Sequence, residues 1–145
     1  MSAPNYFRID EGSVLPDLSN RAPFLAVIII EGEHSPAWQE RISDWLVADG
    51  CRYALTWGKD CAIWHDAIDW AELKAFDFRE VPDDRLVMTT WHDDEPLEEV
   101  FWFAGNCAHH PEVELRSSVI VDIGPADRQQ EMLTRWQAAQ EAELN

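Results

Sequence analysis

Lysine is almost missing from this 145-residue chain: Lys59 and Lys74 are the only two, and the other nine of its 11 basic residues are arginines. Against them stand 28 acidic residues, leaving a formal net charge of -17. Nucleic acids and anionic lipid surfaces draw most of their attraction from positive protein charge, so neither is an expected partner. Cysteine is scarce too. Cys51, Cys61 and Cys107 are odd in number and lack CxxC spacing, which fits the reduced thiols of a cytoplasmic protein better than a disulfide framework. No apolar run approaches the roughly 18 residues of a membrane helix. The N-terminal MSAPNYFRIDEG lacks the apolar centre of a signal peptide.

Glycine-rich loops are absent as well, and this excludes a function class. A nucleotide-binding sheet sets such a loop after its first strand, so that backbone amides can approach phosphate. Here the corresponding stretch is Glu31-Gly32-Glu33-His34-Ser35-Pro36, with two carboxylates where the phosphate would sit. Dinucleotide and P-loop readings are excluded on that ground.

What is present argues for a packed globule: 46% hydrophobic residues and eight tryptophans. The run Phe24–Ile30 is short, apolar and β-branched, and it reads as a strand buried on both faces of a parallel sheet. Ser35-Pro36 is an N-cap followed by proline at the first helical position, and Trp38, Ile42, Trp45 and Leu46 recur at helical spacing up to the stop at Gly50. Cys51–Trp57 reads as a second strand. Ile63, Trp64, Ala67 and Ile68 mark a helix, and Asp69-x-x-Glu72 reads as a fresh capping signal, predicting two short helices or one bent helix. Leu86–Trp91 is the third strand and Leu97–Ala104 a helix with acids massed at its start. Ser117–Ile123 is the fourth strand, and a last helix carries Met132, Leu133, Trp136 and Ala139.

Strand and helix thus alternate four times, the signature of a parallel sheet covered by helices on both faces. The expected fold is α/β: one small three-layer sandwich over residues 24–145, with a mainly parallel four-stranded sheet in flavodoxin-like order 2-1-3-4. Residues 1–23 form an irregular lead-in, in which Tyr6–Ile9 either adds a short edge strand or packs on the body.

That order sets a crevice between the ends of the first and third strands. Glu31, Glu33 and His34 would meet His92, Asp93 and Asp94 there, flanked by Trp57, Asp60 and Trp91. Carboxylates from two strand tips suit Mg²⁺ or Mn²⁺, with Glu31, Asp93 and Asp94 as ligands and His92 or His34 carrying a proton. The competing reading has no cofactor: acids near helix N-termini answer the dipole, and the remainder keep the protein soluble. The triplets Trp64-His65-Asp66 and Trp91-His92-Asp93, with Cys61, Cys107, His109 and His110, offer zinc donors in no known module spacing.

An apolar strand ending in Glu31-Gly32, with Asp93-x-Glu95 after a later strand, resembles the Toprim nuclease and topoisomerase domain. That likeness implies a glutamate and an acidic pair around Mg²⁺. More broadly, Trp57-Gly58-x-x-Cys61-x-x-Trp64-His65-Asp66-x-x-Asp69 with the later Trp91-His92-Asp93 resembles small uncharacterised bacterial domains of unknown function. This second likeness implies a bacterial origin and the α/β architecture, without an activity. Two functions are therefore expected. One is a protein-binding accessory, regulatory or immunity-type protein whose acidic surface meets a basic partner. The other is a divalent-metal hydrolase or phosphotransfer domain using Glu31, His92 and Asp93.

Overall fold

The computed structural model describes residues 3–142. Among these, five strands and four α-helices follow one another as β1 (Asn5–Ile9), β2 (Phe24–Ile30), α1 (Pro36–Asp49), β3 (Cys51–Gly58), α2 (Cys61–Ala75), β4 (Met88–His92), α3 (Leu97–Asn106), β5 (Ser117–Ile123) and α4 (Gln129–Glu141). Every strand pairing is parallel, in the order β1-β5-β2-β3-β4.

All seven residues of β2 are buried, with β5 on one side and β3 on the other. Its alternate side chains feed two separate cores. Phe24, Ala26, Ile28 and Ile30 pack with α1 and α2, whereas Leu25, Val27 and Ile29 pack with α3 and α4. Local signals act as read: Ser35 Oγ accepts the Trp38 N–H at 3.2 Å, with Pro36 beginning α1.

The α/β sandwich stands, with two corrections. Of the two readings of Tyr6–Ile9 the edge strand is the one present, within β1 and paired to β5, so the sheet has five strands and not four. Counted as the four expected strands, the order is 4-1-2-3 instead of 2-1-3-4. The chain steps from β2 to β3 to β4 in one direction and crosses back only on the way to β5. That single reversal puts α1 and α2 on one face and α3 and α4 on the other.

Two smaller differences have local causes. Helix α2 runs unbroken for 15 residues, because Asp69 and Glu72 cap nothing and reach sideways instead, to Thr89 Oγ1 and to the Val87 N–H. The third expected strand begins at Met88, not Leu86. The Leu86 carbonyl accepts from His110 Nε2 and the Val87 N–H goes to Glu72, so side chains occupy the first two positions of the ladder.

Where β3 leaves the sheet, Gly58 has φ +107, and a Cβ there would stand 2.3 Å from the Ile30 carbonyl oxygen. Gly32 also has positive φ (+73) but faces open space. Gly32→Ala is expected to cost about 1 kcal/mol of backbone strain. Gly58→Ala adds a clash with a buried strand and is expected to cost at least about 3 kcal/mol. Urea denaturation of the two variants checks this, and equal losses would contradict the close approach of β2 and β3.

Candidate functional site

In a sheet wound this way, ligands settle outside the strand ends where the winding reverses, here between β2 and β5. Four side chains meet there. Tyr6 comes from β1, Glu31 follows β2, Asp122 belongs to β5 and Arg128 precedes α4. Arg128 Nη2 lies 2.7 Å from Asp122 Oδ1, Nε 3.1 Å from Oδ2, and Nη1 3.4 Å from Glu31 Oε1. The Tyr6 hydroxyl donates to Asp122 Oδ2 at 2.5 Å and accepts the Arg128 backbone N–H at 2.9 Å. Asp122 is fully buried. Burial and the Asp122 contact push the Tyr6 phenol well above its ordinary range, and the bond to Asp122 raises the Arg128 guanidinium. The crevice therefore holds a hydrogen-bonded network, two carboxylates about one guanidinium, tying β1, β5 and the approach to α4 together.

The expected site residues are divided between two places. At the end of β2, Glu31 is engaged by Arg128, Glu33 is exposed, and His34 Nε2 lies 2.8 Å from the Glu31 carbonyl oxygen with its ring edge-on to Trp64. His92, Asp93 and Asp94 stand at the end of β4, two strands and about 10 Å away. His92 is buried, its Nδ1 3.1 Å from Glu95 Oε2 and its Nε2 2.8 Å from Thr90 Oγ1. Asp93 is exposed, and Asp94 holds a left-handed turn at φ 58. Glu31, Asp93 and Asp94 consequently do not converge, and the residues behind the Toprim likeness lie on separate sides of β3.

Several of the remaining candidates serve the fold. The Trp57 indole donates to the Glu95 carbonyl at 2.6 Å, and Asp60 takes a left-handed conformation just before α2. His110 accepts the N–H groups of Glu112 and Val113 on Nδ1, so both ring nitrogens serve the backbone. Burial pushes the Cys51 thiol up to about 12. It also raises that of Cys61, helped by Asp93, so neither is an activated nucleophile. A cavity of about 540 Å³ lies at the opposite end of the sheet under residues 108–115.

The arrangement that sequence reasoning missed lies along β4. Residues 65, 69 and 72 of α2 all reach that strand or its approach. Thr89 Oγ1 donates to Asp69 Oδ1 at 2.7 Å and lies 2.9 Å from His65 Nε2, while His65 Nδ1 is 3.0 Å from Asp66 Oδ1. The His65 ring meets Trp91 edge-on at 4.7 Å, and Trp91 stays 52% exposed. One signal could have revealed this: His65, Asp69 and Glu72 repeat at helical spacing, which a continuous α2 turns into one polar side. Among the described residues, His65, Asp66 and Asp69 are also the one trio whose donor atoms all lie within 4.8 Å of one another.

Exposed apolar side chains are also frequent in this stretch of the chain. Of the seven exposed large apolar side chains among the described residues, six lie between Ile63 and Trp91: Ile63, Trp70, Leu73, Phe78, Met88 and Trp91. Trp70 and Phe78 pack edge-on at 5.2 Å. An interface could use such a surface; a core would have buried it.

Fold and surface together define a small parallel α/β sandwich with a crevice bridged by Arg128 and an aromatic, acidic edge. A family model described as a domain of unknown function (DUF7684) matches residues 4–139, and the chain belongs to that family. No curated protein and no solved structure matches it. Among the described residues, no helix is long and apolar enough to cross a membrane.

Removing Arg128 leaves the buried Asp122 carboxylate without its cation. Arg128→Leu is expected to cost about 3 kcal/mol in chemical denaturation. Adding Asp122→Leu should recover most of that loss, because an apolar pair has no stranded charge. A double variant as unstable as the single one would show that the network matters for packing instead of charge.

Proposed function

We propose that this protein is a binding accessory, of regulatory or immunity type, that receives a basic partner protein on its α2–β4 side. The observation that carries this reading is the exposure of Trp70 and Phe78, packed edge-on, and of Trp91 on the α2 face of β4, within a chain of net charge -17. Tryptophan is enriched among the residues that dominate binding energy, and large exposed apolar surface on a small domain commonly marks a contact. The charge contributes differently. It raises the encounter rate with a basic protein and disfavours acidic competitors. Unpaired cysteines agree with a reducing, cytoplasmic setting.

The divalent-metal hydrolase alternative, with Mg²⁺ or Mn²⁺ on Glu31 and Asp93, has less support. Those carboxylates stand two strands apart, and Arg128 already engages Glu31.

The test is affinity capture with the wild-type chain and with a Trp70→Ser, Trp91→Ser variant of unchanged charge. A basic protein identified by mass spectrometry should be retained by the first and weakened at least roughly tenfold by the second. With purified components, the association rate should fall as salt rises. Capture of an acidic protein, or equal capture by both chains, sinks the reading.

A further inference from the structure

The geometry points to the open edge of β4 as the docking site, where an extended, arginine-bearing segment of the partner adds as a sixth strand. This rests on the basic-partner reading above and specifies how the partner is held. Strand β4 ends the sheet, and among the described residues no strand covers its free side. Edge strands are usually blunted by lysine, proline or a bulge. Met88-Thr89-Thr90-Trp91-His92 contains neither lysine nor proline, and its register with β3 runs without a shift. The other edge, β1, does carry a charge, Arg8, paired to Asp10.

The β4 edge is also held rigid before any partner arrives. Asp69 and His65 fix Thr89, Glu95 fixes His92, Glu72 takes the Val87 N–H, and His110 holds the Leu86 carbonyl. A strand already ordered lowers the entropy lost on pairing.

Charge chooses the occupant. Thr89 and Trp91 share the α2 face, as the pairing of Thr89 with Ala54 and of Trp91 with Thr56 requires. An added strand therefore presents every second side chain to Trp91, Asp66 and Asp69. A guanidinium there meets an aromatic ring and two carboxylates, gaining cation–π and ionic contacts together. A second copy of this chain would instead bring another -17 net charge to the same edge.

Two capped peptides test this: Arg-Val-Arg-Val-Arg-Val, and Arg-Pro-Arg-Pro-Arg-Pro, which has equal charge but no N–H at alternate positions. Amide NMR shifts on titration at low salt should follow the valine peptide along Met88–His92 and residues 65–69. The proline peptide, and Trp91→Ala binding the valine peptide, should each be roughly tenfold weaker. Because Trp91 is half exposed, that variant should melt with the wild type. Equal binding of both peptides, or shifts on another surface, overturns strand addition while leaving a basic partner in place. No binding of either peptide, together with no basic protein captured, removes both readings. Concentration-dependent dimers whose contact maps to β4 would assign the edge to a second copy and overturn the proposal.

Discussion

Phe24–Ile30 has to be kept from water on both faces and along both edges, because it carries no side chain that could tolerate exposure. Burying each such side chain contributes about 1.5–3 kcal/mol, so this strand anchors the stability of the molecule. One constraint then organises the remainder. Two neighbouring strands, β3 and β5, must take its edges, and two helix pairs must take its faces. The reversal of winding falls beside β2 as a result, and the crevice it creates ends in Asp122, a carboxylate with no access to solvent. Arg128 and Tyr6 are the answer to that buried charge. Where a fold of this kind usually admits a ligand, the protein's own side chains are engaged with one another.

Local chemistry made much of the fold legible. Ser35-Pro36, the glycine stops and the apolar periodicities act within a few residues of themselves, so the structure repeats them. Strand order is not local, which is why it was misplaced. Read as Leu86–Trp91, the third strand offers Leu86, Val87 and Met88, as many large aliphatic side chains as Val119-Ile120-Val121, and it looks poorer only once Leu86 and Val87 lie outside the ladder. Asp69-x-x-Glu72 misled for a related reason. A cap and a lateral tether use the same residue types, and only the neighbouring strand decides between them.

The candidate site moved for the same physical reason. With β3 between β2 and β4, Glu31 cannot share a ligand with Asp93, and each acid found its own occupation. His65 and Trp91, read as parts of two similar triplets, do meet, but across the seam between α2 and β4. Composition shows that these residue types exist. The crossover decides which of them face one another.

An uncovered, regular edge strand and an exposed aromatic surface are ordinarily hazards, since both invite copies of the same chain to pair. The scarcity of lysine bears on this directly. With nine arginines, two lysines and 28 acids, two copies of the chain repel one another on net charge. The same field that would oppose a second copy would favour the basic segment proposed above, and β4 itself holds no Lys, Arg, Asp or Glu that would block pairing. Extreme acidity and an unprotected edge are thus two halves of one arrangement. On the proposed reading, charge would oppose self-association from a distance and leave the strand itself open to a partner.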